Sequence, residues 1–300
     1  MDDGQLHDWD DYRLILALAR SGTLRTAAAS LGLTHTTVSR RLAAIEARCG
    51  KLFEKQPGGY LPTALGEALI DVAQRMEELV LAGARHQRAA DTGLSGAINV
   101  SLPEPIAQYL LTEDLFEFAA AHPDIELKIG TSIRFVDLDR LEADVVIRGA
   151  QEPPGHLVGR RLFPTCVTYY ADRDYLASTR REDLRWIAPA SDGMWPDWRE
   201  RSPYPDAPVS IVIDDIIARH RALVKGMGLG RGACFMADPE PGLVRLTTAA
   251  PVPQQDLWVL THPDLRHTPR IRALMDFIVG AMADKRDLVL GRRPEAGELK

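Results

Sequence analysis

Between Arg20 and Lys55 the chain places seven basic side chains, Arg20, Arg25, Arg40, Arg41, Arg48, Lys51 and Lys55, against two acidic ones, Glu46 and Glu54. The local net charge is therefore +5, in a 300-residue protein whose formal charge at pH 7 is −6. The cations are interleaved with hydrogen-bonding side chains, Thr34-His35-Thr36-Thr37 and then Ser39-Arg40-Arg41. Hydroxyls, an imidazole and guanidinium groups at that density suit the recognition of phosphate oxygens and base edges. An acidic protein with one basic module still tracks phosphates, because screening confines the field to roughly 8–10 Å.

Other chemistries find no matching residues. The eight histidines show no His-x-x-x-His spacing, and the three cysteines, Cys49, Cys166 and Cys234, are isolated. Neither pattern makes a metal site. No serine stands in a Gly-x-Ser-x-Gly elbow. Gly226-x-Gly228-x-Gly230 ends a helical pattern instead of joining a strand to a helix, and no phosphate-loop lysine follows it. The expectation is a protein that is not an enzyme and needs no cofactor and no metal. An odd number of isolated cysteines fits a reducing cytoplasm. The start, Met1-Asp-Asp-Gly-Gln, is acidic without an apolar leader. No apolar run approaches the ~18 residues of a membrane span. A cytoplasmic protein with no membrane partner is expected.

Three helices have to position the basic stretch. Trp9, Tyr12, Leu16 and Ala19 recur at helical spacing, Ser21-Gly22 stops that helix, and Thr23 caps a short one rich in alanine. Gly32 ends the second helix, and Thr34 caps a third that runs to about Arg48 with Val38, Leu42 and Ile45 as its buried stripe. This is a helix-turn-helix: Ala27, Ala28 and Ala29 let the third helix cross the second closely, and its N-terminal end enters a major groove. Leu52–Lys55 and Tyr60–Leu61 flank the turn Pro57-Gly58-Gly59 and read as a wing. A long helix from about Thr63 to Ala90 carries Leu65, Leu69, Val72, Met76 and Leu79 at steps of four and three, a heptad seam for a dimer. Beyond Thr92-Gly93-Leu94-Ser95-Gly96, strands and helices alternate: Ala97–Leu102, Pro103–Ala121, Ile125–Ile129, Val136–Leu141 and Ala143–Ile147 imply a parallel βαβαβ unit. Val167–Ala171, Trp186–Ala188, Val209–Ile213, the helix Asp214–Lys225, Ala233–Met236, Leu257–Thr261 and the helix Pro269–Ala283 continue it, and the tail after Lys285 is expected to fray.

From Trp9 to Gly66 the chain resembles the LysR-type transcriptional regulators, through Ala27-Ala28, Val38-Ser39-Arg40, Ile45-Glu46, Leu52-Phe53, Lys55, Thr63 and Gly66-Glu67. The resemblance implies that His35 and Thr36 reach base edges. It implies that Ser39 and Arg40 hold phosphate or bases, and that the wing touches the DNA backbone or minor groove. The DNA-contacting set is Thr34, His35, Thr36, Thr37, Ser39, Arg40, Arg41, Lys55, Gly59 and Tyr60. The chain departs from the family pattern at His35-Thr36-Thr37, where Gln or Ser-Pro residues are usual, and at Lys55, where Arg is usual.

The second half resembles the family's effector domain, two α/β lobes of the periplasmic-binding-protein type, through Asp144-Val145-Val146-Ile147-Arg148-Gly149 and the glycine segment Lys225–Gly230. Arg231-Gly232-Ala233 stands where the family has other residues. The implied fold class is α/β, preceded by an all-α winged helix-turn-helix and a long linker helix. The implied domains are residues 1–62, 63–92 and 93–285, with one lobe about 93–160 plus 263–285, the other about 161–262, and a tail from 286 to 300. Ligands in such folds sit at strand C-terminal ends and helix N-termini. That points to Ser101, Leu102, Thr131, Ser132, Arg148 and Gly149 from the first lobe and Asp214 from the second. Arg148 is either an anion partner or one member of a hinge ion pair. The implied partners are a double-stranded DNA operator, a small-molecule effector, a second copy in a homodimer that extends to a homotetramer, and RNA polymerase. The alternative is a bilobed solute-binding protein or enzyme with an appended winged-helix module that does not bind DNA.

Overall fold

The computed structural model describes residues 6, 8–90, 93–131, 138, 140–190 and 197–292. The chain divides into two compact units, Met1–Gln87 and Arg88–Lys300.

The first unit opens with three helices, α1 (Trp9–Ser21), α2 (Leu24–Leu31) and α3 (His35–Cys49). Local signals fix their ends. The Asp8 carboxylate accepts from the Asp10 N–H, the Thr23 hydroxyl from the Thr26 N–H, and the Thr34 hydroxyl from the Thr37 N–H. Gly22 and Gly32 take left-handed conformations at φ 67° and 65°, which glycine adopts without steric cost. Leu14, Ile15, Leu18, Ala27, Ala28, Val38, Leu42, Ile45, Leu52 and Phe53 form one core. Each large member contributes about 1.5–3 kcal/mol by leaving water. The hairpin β1 (Phe53–Gln56) and β2 (Gly59–Pro62) pairs Lys55 with Tyr60. Helix α4 (Ala64–Ala89) follows, capped by the Thr63 hydroxyl, which accepts from the Gly66 N–H at 3.1 Å.

The second unit contains β3 (Gly96–Leu102), α5 (Glu104–Ile106), a π-turn (Ala107–Leu111), α6 (Thr112–Ala121), β4 (Ile125–Thr131), β5 (Val145–Ala150) and β6 (Val158–Asp172). It continues with α7 (Arg173–Ser178), β7 (Trp186–Ala188), β8 (Val209–Val212), α8 (Ile216–Val224), β9 (Leu229–Ala233), α9 (Cys234–Ala237), β10 (Leu243–Arg245), β11 (Val252–Thr261), α10 (Pro269–Asp284) and α11 (Arg286–Val289). One sheet runs in the order β4-β3-β5-β11-β6-β9-β7-β8, with β10 on β6. The expected parallel unit is present, since β3 pairs in parallel with both β4 and β5. Two lobes share this sheet. The first packs α6 and α10 over β3, β5 and β11 around Val100, Leu115, Phe118, Ile147 and Ile278. The second has Trp186, Trp198, Ala171 and Leu229 on one face and Tyr170, Leu223, Ala237 and Leu243 on the other.

The structure departs from the sequence expectation in five places. Strand β6 begins at Val158, nine residues before the expected strand, and β11 at Val252, five residues before. Both are antiparallel strands that run through both lobes. The strand expected at Ala233–Met236 lies instead at Leu229–Ala233, inside the glycine segment, and Cys234–Ala237 is helical. Helix α8 starts at Ile216, and Asp215 caps it, not Asp214. The tail after Lys285 does not fray at once: α11 forms and Val289 is fully buried. The Gly291 carbonyl accepts from Arg245 Nη2 at 2.9 Å, and Arg245 also pairs with the buried Asp238 at 2.6 Å. The expected helix Val136–Leu141 falls largely outside the described residues, as does Ser132.

Candidate functional site

Helix α3 turns Val38, Leu42 and Ile45 into the core, and these are at most 5% exposed. The helical period then sends Thr36 and Arg40 to the opposite face, with His35 and Ser39 flanking them. His35, Thr36, Arg40 and Arg41 are exposed, and Thr37 and Ser39 are half-buried. The Thr34 hydroxyl bonds the Thr36 and Thr37 hydroxyls at 3.0 and 2.8 Å besides capping the helix. Three threonines therefore hold one another at the helix start, which fixes the side chains presented there.

The basic stretch separates into two groups. Arg20 forms a bidentate pair with Glu77 at 2.7–2.8 Å, Arg48 pairs with Asp11, and Lys51 pairs with Glu46 at 2.8 Å. Arg25, Arg40, Arg41 and Lys55 have no carboxylate partner among the described residues. The first group holds the unit together, and the second leaves positive charge on α2, α3 and the wing.

Glycine contacts and one carboxylate fix the wing. Gly59 lies at φ +138°, and a Cβ there would stand 2.3 Å from the Gly22 carbonyl oxygen, which accepts from the Tyr60 N–H at 2.8 Å. Tyr60 packs against the core. Gly66 lets α4 approach the strand, since its Cβ would meet the Leu52 carbonyl oxygen at 2.2 Å. The Glu46 carboxylate accepts from the Leu52 and Phe53 N–H groups at 3.0 and 3.1 Å. Burial alone would raise its pKa, but the bonds from Lys51, Phe53 and Leu52 outweigh that and hold it below the usual carboxylate range.

Along α4 the expected dimer seam divides. Leu69 packs on the core of its own unit together with Ile70, and Met76 is half-buried. Part of the Leu69 surface is therefore covered within its own unit. A 26-residue helix presents apolar side chains on more than one line, and the three-helix core covers one of them. Leu65, Val72 and Leu79 remain exposed at spacings of seven, Leu79 by 74%, with Val80 beside it.

In the second unit, parallel register puts Ser101 opposite Gly130 on β4 and Val146 on β5, and Leu102 opposite Thr131. Ser101, Leu102, Thr131, Arg148 and Gly149 thus gather at the C-terminal ends of three adjacent strands. Arg148 and Ser101 are buried and bonded, guanidinium Nη2 to hydroxyl, at 2.7 Å, and Arg148 Nη1 donates to the Ile147 carbonyl at 2.8 Å. Desolvation pulls the Arg148 pKa below its ordinary value. Asp214 is exposed in the loop before α8. In the π-turn, Tyr109 of the first lobe stacks edge-on against His220 of the second at 5.3 Å.

Residues 9–67 match the family model described as bacterial regulatory helix-turn-helix protein, lysR family, and residues 91–283 match the LysR substrate binding domain. The chain belongs to the LysR family. It is a regulator of the DNA-binding type with an effector-binding domain. Among its relatives, the Mau operon transcriptional activator of Paracoccus denitrificans is 32% identical over 52% of this chain, and this chain spans 55% of that protein. An HTH-type transcriptional regulator of Xanthomonas campestris is 26% identical over 96% of this chain and 89% of its own length. Two solved structures share the fold. Full-length AphB of Vibrio cholerae has a TM-score of 0.55 at 18% identity, covering 91% of this chain and 99% of its own. CrgA of Neisseria meningitidis has a TM-score of 0.54 at 19% identity, covering 92% and 99%. Relatives of this LysR-family chain are named as transcriptional regulators, not as enzymes. No helix among its described residues is long and apolar enough to cross a membrane, and no described cluster of His, Cys, Asp and Glu could hold a metal. The sequence reading missed the buried Arg245–Asp238 pair and the Glu46 anchor, whose partners lie in other elements or loops.

Proposed function

We propose that this LysR-family chain reads a two-fold DNA site as a homodimer, assembles further into a tetramer, engages RNA polymerase there, and answers a small polar effector held between its two lobes in the cytoplasm. The observation that carries the DNA reading is the separation of charges. Arg25, Arg40, Arg41 and Lys55 have no carboxylate partner among the described residues, whereas the other three cations of the stretch are neutralised. A phosphate that meets such a cation releases a counterion, which drives association. In this reading Thr36, Ser39, Arg40 and His35 meet base edges or phosphates. Arg41 and Lys55 with the backbone at Gly59 and Tyr60 meet the sugar-phosphate chain, and Thr34 and Thr37 set the helix start. The exposed line Leu65, Val72 and Leu79 meets its twin across the two-fold axis. Ser101, Leu102, Thr131, Arg148 and Gly149 face the effector from the first lobe, and Asp214 from the second; Ser132, expected beside them, lies outside the described residues. This reading assigns no described residue a catalytic role.

A gel shift on DNA upstream of the chain's own gene tests this. The wild type is expected to shift the fragment, and Arg40→Gln to weaken the shift by about tenfold or more. Ser101→Ala and Arg148→Ala are expected to remove the response to metabolites of the neighbouring pathway while ligand-free binding persists. A solute-binding protein or enzyme with a silent winged-helix module gives no shift at any concentration.

A further inference from the structure

Residues 285–291 carry the chain from the first lobe onto the second. Lys285, which follows α10, donates from Nζ to both oxygens of the Asp114 carboxylate at 2.6 and 2.7 Å. Asp114 belongs to α6 of the first lobe. Helix α11 then packs on α9 and β6. Its Val289 is fully buried in a core shared with Phe163, Phe235 and Met236. The segment ends against the second lobe. The Gly291 carbonyl accepts from Arg245 Nη2 on β10 at 2.9 Å, and Arg245 is itself held by Asp238, whose side chain is largely buried. Gly291 lies at φ +64°, and a Cβ there would stand 2.6 Å from Cys234 Sγ and 2.9 Å from Pro251 Cγ. The backbone conformation and the space both call for glycine.

These anchors leave no slack between them. Helical backbone advances about 1.5 Å per residue, so the path from Lys285 to Gly291 is about 9 Å long. A hydrogen bond does not survive stretching past about 3.5 Å. A displacement of the lobes by about 1 Å at either end therefore breaks an anchor, and taking up more requires α11 to unwind and Val289 to leave the core. Pro251, one wall of the seat, immediately precedes β11, a strand shared by both lobes. We propose that residues 285–291 are a strap that locks the two lobes in one arrangement, and that the lobes rotate against each other only after Gly291 leaves its seat against Cys234, Pro251 and Arg245.

Pulsed electron–electron distance measurement on the full chain tests the lock. Spin labels go on Glu117→Cys in α6 and Ala177→Cys in α7, both exposed positions, with Cys49→Ser removing the native thiol that is not buried. Unlabelled chain is added in excess so that only distances within one chain are read. The wild-type strap is expected to give one narrow distribution. The side chain of Gly291→Val does not fit the seat. Its Val289 and Leu290 amides, which donate to the Lys285 and Arg286 carbonyls, are expected to exchange about tenfold faster or more. The distance distribution is expected to widen or shift by about 4 Å, the displacement of a label about 16 Å from the axis of a rotation of about 15°. A broad distribution in the wild type overturns the proposal. So does an unchanged distribution or unchanged exchange in Gly291→Val. If Gly291→Val fails to fold, Lys285→Ala decides, because it frees the first-lobe end through a pair whose lysine is 29% exposed. It is expected to widen the distribution in the same way, and an unchanged distribution there overturns the lock. Neither effector nor DNA is present, so the outcome is independent of the regulator reading.

Discussion

Glu46 sits where the recognition helix meets the wing, and its removal has a calculable cost. Its carboxylate accepts from two backbone amides at the start of β1, those of the fully buried Leu52 and Phe53, while its own side chain is 13% exposed. Hydrogen bonds to a charged group contribute about 1.5–3 kcal/mol each. Water replaces part of that, so Glu46→Ala should lower local stability by about 2–4 kcal/mol. The ion pair to Lys51 adds little, because the lysine side chain is 67% exposed and such pairs stay below about 1 kcal/mol. Glu46→Gln keeps an acceptor oxygen and should lose only about 1 kcal/mol. Amide hydrogen exchange on the full chain measures this directly. In Glu46→Ala the Leu52 and Phe53 amides should exchange about 30-fold faster or more, at about 1.4 kcal/mol per tenfold, if exchange follows local opening. The pH dependence has a fixed sign. The folded pKa is depressed, so the contribution is fully present above the unfolded carboxylate value of about 4.3 and is lost as pH falls through the folded value. Protection of these two amides, corrected for intrinsic rates, should collapse in acid for the wild type and stay flat for Glu46→Gln. Unchanged exchange in Glu46→Ala refutes the anchoring argument.

Three other perturbations follow from the same contacts. Arg40→Gln and Lys55→Gln should each flatten the dependence of log affinity on log salt by about one per cation and phosphate contact, with Arg40→Gln also costing about 1–3 kcal/mol if it meets a base edge; gel shifts across a salt series read both. Val72→Asp with Leu79→Asp should give monomers by sedimentation, since both side chains are exposed in the single chain and each apolar contact with a twin contributes about 1.5–3 kcal/mol; an unchanged oligomer would remove α4 as the interface. Arg245→Met should destabilise the second unit by about 3–5 kcal/mol in calorimetry by leaving Asp238 buried without its cation, and Asp238→Asn added to it should recover part of the loss.

The elements that are legible in sequence are those that local chemistry decides. Thr23, Thr34, Gly22 and Gly32 mark helix ends because each acts within four residues of its own position. The basic stretch is legible as a charge excess, but its division into paired and unpaired cations is not. Arg48 finds Asp11 at a separation of 37 residues and Arg20 finds Glu77 at 57, distances over which sequence carries no pairing signal. Leu69 illustrates a second limit: heptad spacing states that a line of the helix is apolar and not which surface covers it. Strand β9 was hidden because Gly230 and Gly232 carry no strand preference, yet Gly230 leaves room for Leu223, whose Cδ1 would stand 2.3 Å from a Cβ there. The start of α11 was hidden because its anchor, Arg245 on the Gly291 carbonyl, lies 46 residues away.

The two strands that were hardest to read also decide how the lobes can move. Arg160, Arg161 and Pro164 on β6 and Pro253, Gln254, Gln255 and Asp256 on β11 give neither strand an apolar alternation. Both strands nevertheless belong to both lobes: β11 pairs with β5 and with the first half of β6, and the second half of β6 pairs with β9. A rotation of one lobe against the other therefore has to bend these strands. The β6–β11 ladder breaks register twice, between Pro253 and Asp256, opposite Pro164 and Cys166, and again between Asp256 and Trp258. Each proline removes a donor there, and a bulge is a point of local bending and twist. The fewest ladder hydrogen bonds are lost if the bend falls within Pro253–Trp258.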